Sequence, residues 1–232
     1  MRLVLFDIDG TLLLTDGAGR RAIHRALLEE AGTAGPIDSY RFDGKTDPQI
    51  VRDLLALAGR AEVEAELVQA VCERYVTHLE VELQHPSQRT RVMAGVPELL
   101  DALATVEREG GAMVGLLTGN IARGAALKLS SAGLDPARFV VGAFGSDAAH
   151  RPELPAIARD RAEALVQRRI PGEHVVVIGD TPADVACARP IGARTVAVAT
   201  GSYDVPALRA AGADHAFPDL AATQAVLDAI FT

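Results

Sequence analysis

A parallel β-sheet covered by helices, interrupted near its start by a block of helices alone, is the α/β fold class this sequence predicts. Three observations predict it. Short unbroken apolar runs recur along the chain, each closed by a turn signal, as strands buried on both faces do. Between them lie segments with apolar residues at helical spacing, and such alternation argues a parallel sheet. The stretch 16–89 breaks the alternation, because it reads as helix and loop throughout.

The first run is Leu3-Val4-Leu5-Phe6, which ends in Asp7-Ile8-Asp9-Gly10-Thr11. After Gly17-Ala18-Gly19 the residues Ile23, Ala26 and Leu27 recur at helical spacing over 22–28. The glycine pair could offer N–H groups to an anion, or simply turn the chain into the helix. Residues 32–40 read as loop. Phe42-Asp43-Gly44-Lys45-Thr46-Asp47-Pro48 then leads into a helix that Thr46 or Asp47 can cap, with Pro48 in its first turn. A further amphipathic segment, 62–83, sets Leu67, Val71, Tyr75, Val76 and Leu79 on one face. His85-Pro86-Ser87-Gln88 closes the block.

Beyond Gly95 a helix over 98–108 leads to a second strand, Met113-Val114-Gly115-Leu116-Leu117, ending in Thr118-Gly119-Asn120. Next come a helix to about residue 132, a strand over 139–144 and a helix over 154–168. Val175-Val176-Val177-Ile178 is a fourth strand, closed by Gly179-Asp180-Thr181-Pro182-Ala183-Asp184. Thr195-Val196-Ala197-Val198 is a fifth, and His215-Ala216-Phe217 a short sixth. The division is therefore a sheet domain over 1–15 and 90–232 and a helical block over 16–89.

The totals limit what this fold can do. Acids outnumber Lys and Arg, 31 against 23, for a net charge of −8. That balance argues against nucleic acid and anionic membranes as partners, which need a basic face. A small anionic substrate stays admissible if a metal ion and one or two bases set the local field. Cys72 and Cys187 have no metal or redox motif around them, so free thiols in a reducing compartment are expected. The N-terminal apolar run is too short for a signal peptide, and no stretch approaches a membrane span. A cytoplasmic protein, monomer or homodimer, is the expectation.

The polar residues that can do chemistry fall just past successive strand ends: Asp7 and Asp9, Thr118 and Asn120, Asp180 and Asp184. Strands of a parallel sheet point one way, so these ends converge on one edge. Singly, each residue could be a turn residue, a helix cap or a solvated charge. A calcium loop over Asp7–Ala18 fails: Thr11 replaces the usual acid at the fifth position, and Leu12 and Ala18 stand where the sixth and twelfth need Gly and Glu. Four gathered carboxylates would repel unless a cation joined them, and hard oxygen donors suit Mg²⁺. The chemistry that follows has Asp7 attack phosphorus to form an aspartyl-phosphate. Asp9 protonates the leaving alkoxide and then deprotonates water. Thr118 and the N–H groups of Gly119 and Asn120 bond the phosphoryl oxygens.

Phe6-Asp7-Ile8-Asp9-Gly10-Thr11 resembles the first signature of the haloacid dehalogenase superfamily, mostly magnesium-dependent phosphatases. Leu116-Leu117-Thr118-Gly119-Asn120 resembles its second motif and Val177-Ile178-Gly179-Asp180-Thr181-Pro182-Ala183-Asp184 its fourth. The resemblance implies a Rossmann-like core and Mg²⁺ held by Asp7, Asp9, Asp180 and Asp184, with Asp180 a direct ligand and Asp184 in support. The helical block is similar in placement to the cap of phosphoglycolate-phosphatase-like members. Residues 42–47 resemble their cap loop, which makes Lys45 an implied substrate contact beside Gly10, Gly119 and Asn120 at the strand ends; glycine at both ends of the block, Gly17 and Gly95, would permit hinge motion.

The third motif departs, with His150-Arg151-Pro152 where Lys-Pro is usual. Arg151 is the natural substitute, since it forks two donors onto a phosphate. Lys128 is the competitor, but it lies roughly 12 Å along its helix axis. The expected reaction is hydrolysis of a small phosphorylated metabolite, with a phosphoglucomutase-like transfer or a catalytically idle binding protein as rivals. A true dehalogenase is disfavoured because Asp9 is present.

Overall fold

The structure is a computed structural model describing residues 1–232. Its first strand, β1 (Arg2–Phe6), has Leu3 to Phe6 fully buried, as an apolar run of that length requires. The chain then forms β2 (Leu13–Leu14) and three helices: α1 (Ala18–Ala31), α2 (Asp47–Leu57) and α3 (Ala65–Gln84). It returns through β3 (Arg91–Val92) and continues α4 (Val96–Arg108), β4 (Ala112–Thr118), α5 (Ala122–Ser131) and β5 (Val141–Phe144). The remainder is α6 (Leu154–Val166), β6 (Val175–Gly179), α7 (Pro182–Ala188), β7 (Arg194–Val198), α8 (Val205–Ala210), β8 (His215–Phe217) and α9 (Thr223–Phe231).

The six main strands form one sheet in the order β5-β4-β1-β6-β7-β8, all neighbours parallel. After β5 the chain crosses to the other side of β1, so the winding reverses there, and such a switch point opens a crevice at the strand ends. Phe6 is level with both Leu116 and Ile178. Asp7, Thr118 and Asp180 therefore emerge at one edge.

One core of 23 buried residues covers one face of the sheet and one of 13 the other, while α1, α2 and α3 close around a separate core of 18 that includes Ile23, Leu27, Leu54, Val71 and Leu79. Tyr75, 1% exposed, is the largest side chain in it. No helix is long and apolar enough to cross a membrane.

The elements differ from the sequence reading at their ends. The strand expected over 139–144 starts at Val141, since Phe139 ends a short helical turn and Val140 is 57% exposed. The helix expected over 22–28 runs from Ala18 to Ala31, because Gly17 and Gly32 turn the chain in left-handed geometry at its ends. The long helix starts at Ala65 rather than 62, and α4 starts at Val96, directly after Gly95. The antiparallel pair β2–β3 was not foreseen, because two-residue strands show no periodicity. It joins the exit of the helical block to its entrance.

Candidate active site

The strand-end edge is built first by the turn after β1. The Asp7 N–H donates to Ile178 O at 2.9 Å, extending the ladder one residue, and Leu12 N–H returns to Ile8 O at 2.9 Å. Gly10 takes φ +85°, and a Cβ there would lie 2.4 Å from Asp180 Oδ2, so no side chain fits between the two acids' loops. Thr11 Oγ1 donates to Asp180 Oδ1 at 3.2 Å. Asp184 closes a capping box at the start of α7: its Oδ2 accepts from Thr181 N–H at 3.0 Å and Thr181 Oγ1 at 2.6 Å.

Arg151 enters this group from the turn preceding α6. Its guanidinium bonds Asp184 Oδ1 and lies 3.4 Å from Asp7 Oδ1. Asp7, Asp180, Asp184 and Arg151 are all buried. Burial pushes Asp7 up to about 6 against the pull of Arg151, with Asp184 and Asp9 adding repulsion. Asp180 is pushed up to about 9 by burial and then by Asp184 and Asp7. Three carboxylates thus have one guanidinium among them, in contact with Asp7 and Asp184 only, and Asp180 accepts only the Thr11 bond. Oxygens of Asp7, Asp180 and Asp184 lie within 4.8 Å of one another. This donor set, all hard oxygen and short of positive charge, fits a divalent cation such as Mg²⁺.

Asp9 is separate from that cluster. Lys128 Nζ lies 2.8 Å from its Oδ1 and 2.7 Å from its Oδ2, and Asn120 Nδ2 donates to Oδ2 at 2.7 Å. Axial rise along α5 misjudged Lys128: its long stem reaches Asp9, while the guanidinium beside Asp7 belongs to Arg151. Of the four expected metal-binding acids, the structure brings three together and turns the carboxylate of Asp9 toward Lys128. Thr118, at the end of β4, is fully buried, and its Oγ1 accepts from Asn120 Nδ2 at 2.8 Å.

The loop before α2 lies directly on this edge. Asp47 N–H donates to Gly119 O at 2.8 Å, and Asp47 Oδ2 accepts from Ile121 N–H at 2.9 Å. Thr46 caps α2 and donates to Ala149 O at 2.6 Å. A Cβ on Gly119 would sit 2.1 Å from Lys45 O, so the loop can approach only a glycine there. Burial pushes Asp47 up to about 6, although Lys128 and the Ile121 N–H oppose the rise. Lys45 faces the cavity with its ammonium held by Tyr40 and by Asp53 at 3.0 Å.

The cavity between block and sheet measures about 660 Å³, the size of a small-molecule site. Its lining includes Asp7, Asp9, Lys45, Thr118, Gly119, Asn120, Lys128, Arg151 and Asp180; Asp184 stands behind them. Arg20, Tyr75, Arg89 and Arg91 also line it, and sequence reasoning missed all four. Arg89 and Arg91 could have been noticed as two bases in alternate positions, which share a face of an extended chain. Nothing distinguished Arg20 or Tyr75 from ordinary helix residues.

A family model of haloacid dehalogenase-like hydrolases matches residues 4–189. The phosphoglycolate phosphatase of Rhodospirillum rubrum is 29% identical over 227 residues, which is 95% of this chain and 88% of that protein. Among solved structures, a hydrolase from Pseudomonas syringae covers the whole of both chains with a TM-score of 0.74 at 22% identity. CbbY from Rhodobacter sphaeroides in complex with phosphate covers 95% of each chain, with a TM-score of 0.65 at 19% identity.

Proposed function

The chain belongs to the haloacid dehalogenase-like hydrolase family, and on that footing we propose that it is a Mg²⁺-dependent phosphatase of a small phosphorylated metabolite, working through an aspartyl-phosphate. The observation that carries this reading is the buried trio Asp7, Asp180 and Asp184 around Arg151, at the head of a cavity of about 660 Å³. The relative from Rhodospirillum rubrum, which acts on a small phosphate ester by name, supports the substrate class.

In this reading Asp7 is the nucleophile, because its carboxylate lies at the head of the cavity at a strand end. Arg151 steadies Asp7 and neutralises part of the charge that meets it as a phosphate approaches. Asp7 and Asp180 would hold Mg²⁺, with Asp184 fixing Arg151 and the loop of Asp180. When bound, the ion supplies the positive charge that lets a carboxylate meet a phosphate and orients the two. Thr118 and the N–H groups of Gly119 and Asn120 offer donors to the phosphoryl oxygens. Asp9 gives a proton to the leaving oxygen and takes one from water.

Residues 16–89 act as a cap over the sheet domain of 1–15 and 90–232, with Lys45 and its loop reaching the substrate. The cap's closure keeps bulk water and macromolecules out, which supports a small substrate. The test is release of p-nitrophenol from p-nitrophenyl phosphate with Mg²⁺. Activity that chelation removes and added Mg²⁺ restores is expected; a metal-purified protein that turns over no phosphate ester with Mg²⁺ sinks the reading.

A further inference from the structure

Lys128 is a buried cation beside the site that this reaction leaves without a role. It stands in the middle of α5 and is only 5% exposed, and a lysine so deep is rare unless paired. Its ammonium spans both oxygens of Asp9, at 2.8 and 2.7 Å, and Asn120 adds a third donor at 2.7 Å. The ammonium is also hemmed in: a Cβ on Gly19 would lie 3.5 Å from Nζ and 3.7 Å from the Tyr75 hydroxyl. A carboxylate has about four lone-pair sites, so three donors leave roughly one open, on Oδ1.

We infer that Lys128 is the positioning residue for the second half of the reaction, clamping Asp9 so that its open Oδ1 site receives the proton of the attacking water. The inference rests on the phosphatase reading with an aspartyl-phosphate. In that half, water oxygen bonds to phosphorus while the bond from phosphorus to the Asp7 oxygen breaks, its electron pair returning to the Asp7 carboxylate. The water proton passes to Asp9, inorganic phosphate leaves, and in the next turnover Asp9 gives that proton to the leaving oxygen. Three donors fix the orientation of the Asp9 carboxylate and leave one acceptor site for the water's proton, which is the geometry the water step requires. Arg151 cannot serve here, because its guanidinium is engaged by Asp184 and Asp7.

Rapid-mixing kinetics with p-nitrophenyl phosphate and Mg²⁺ separate the two halves, since nitrophenolate departs with little help from an acid. Lys128→Met should release a burst of about one equivalent and then turn over about 10²-fold more slowly than wild type, with KM not raised. Lys128→Arg, which keeps donors on both oxygens, should recover the rate to within about fivefold. A steady rate for Lys128→Met within about twofold of wild type overturns the inference, as does a slowed first turnover without a burst. If Lys128→Met melts below the assay temperature, Lys128→Gln measured the same way decides by the same criteria. Wild-type protein that releases no nitrophenolate overturns the phosphatase reading itself, so the two failures are seen on different proteins.

Discussion

Around Asp7 three buried carboxylates have one guanidinium among them, whereas Asp9, a few ångströms on along the same turn, has an ammonium and an amide to itself. The first group is short of positive charge and is raised toward protonation, Asp7 to about 6 and Asp180 to about 9. The second carries its own cation. The contrast teaches that carboxylates two residues apart can be given opposite surroundings by what faces them; on the proposed reaction, the first would meet a cation and a phosphate and the second would carry a proton.

Removing the proposed nucleophile should break the contrast most completely. Asp7→Asn is expected to lower turnover by more than about 10⁴-fold, in line with other covalent nucleophiles. It should also raise the melting temperature of the metal-free protein at pH 8, since a buried carboxyl raised to about 6 no longer has to ionise beside Asp184. Residual turnover near wild type would remove Asp7 from the role.

Arg151→Ala should follow, with a loss of about 10³-fold in kcat/KM and about 3 kcal/mol in stability, because a buried ion group loses its only cation. Urea unfolding and steady-state kinetics read both effects. A smaller activity loss than in Lys128→Ala would reverse the division of labour between the two cations.

Metal and pH should sharpen the comparison next. Because Asp180 is raised in the fold, its contribution is fullest below the ordinary carboxylate range near 4 and is lost as pH climbs toward 9. The metal-free melting temperature should therefore fall across pH 5–9. At saturations near 100 times its dissociation constant Mg²⁺ should restore about 2.7 kcal/mol. Calorimetry with and without EDTA checks it; a pH-independent melt unmoved by Mg²⁺ would contradict the charge deficit.

Asp47→Asn should have the smallest effect. Its carboxyl is raised to about 6, so the ionised form costs stability above that pH and nothing below about 4. The variant should be more stable than wild type by about 1–2 kcal/mol at pH 8 and equal to it at pH 4. A destabilised variant at pH 8 would show that the Ile121 N–H needs the charge.

The two parts of the chain were also unequally legible. The sheet domain's strands announce themselves because a strand buried on both faces must be apolar throughout, and the polar residues past Phe6, Leu117 and Gly179 stand out by contrast. Elements of the block are equally clear as helices, yet their contact with the sheet domain is not, since it runs through backbone groups of Gly119 and Ile121 that any sequence carries. The pair β2–β3 was hidden by its shortness, and Lys128 by a helix position that looked too remote.

By itself the sequence determined the α/β class, the convergence of Asp7, Asp9, Thr118 and Asp180 on one edge, and the family, because hydrophobic periodicity and strand-end chemistry are local properties. Only the tertiary structure decided which cation serves which acid. That depends on how far a side chain reaches across elements distant in sequence: Arg151 lies 33 residues from Asp184, and Lys128 lies 119 from Asp9. The stretch Asp7-Ile8-Asp9 names both acids, but the packing of α5 and of the turn before α6 sets their different surroundings.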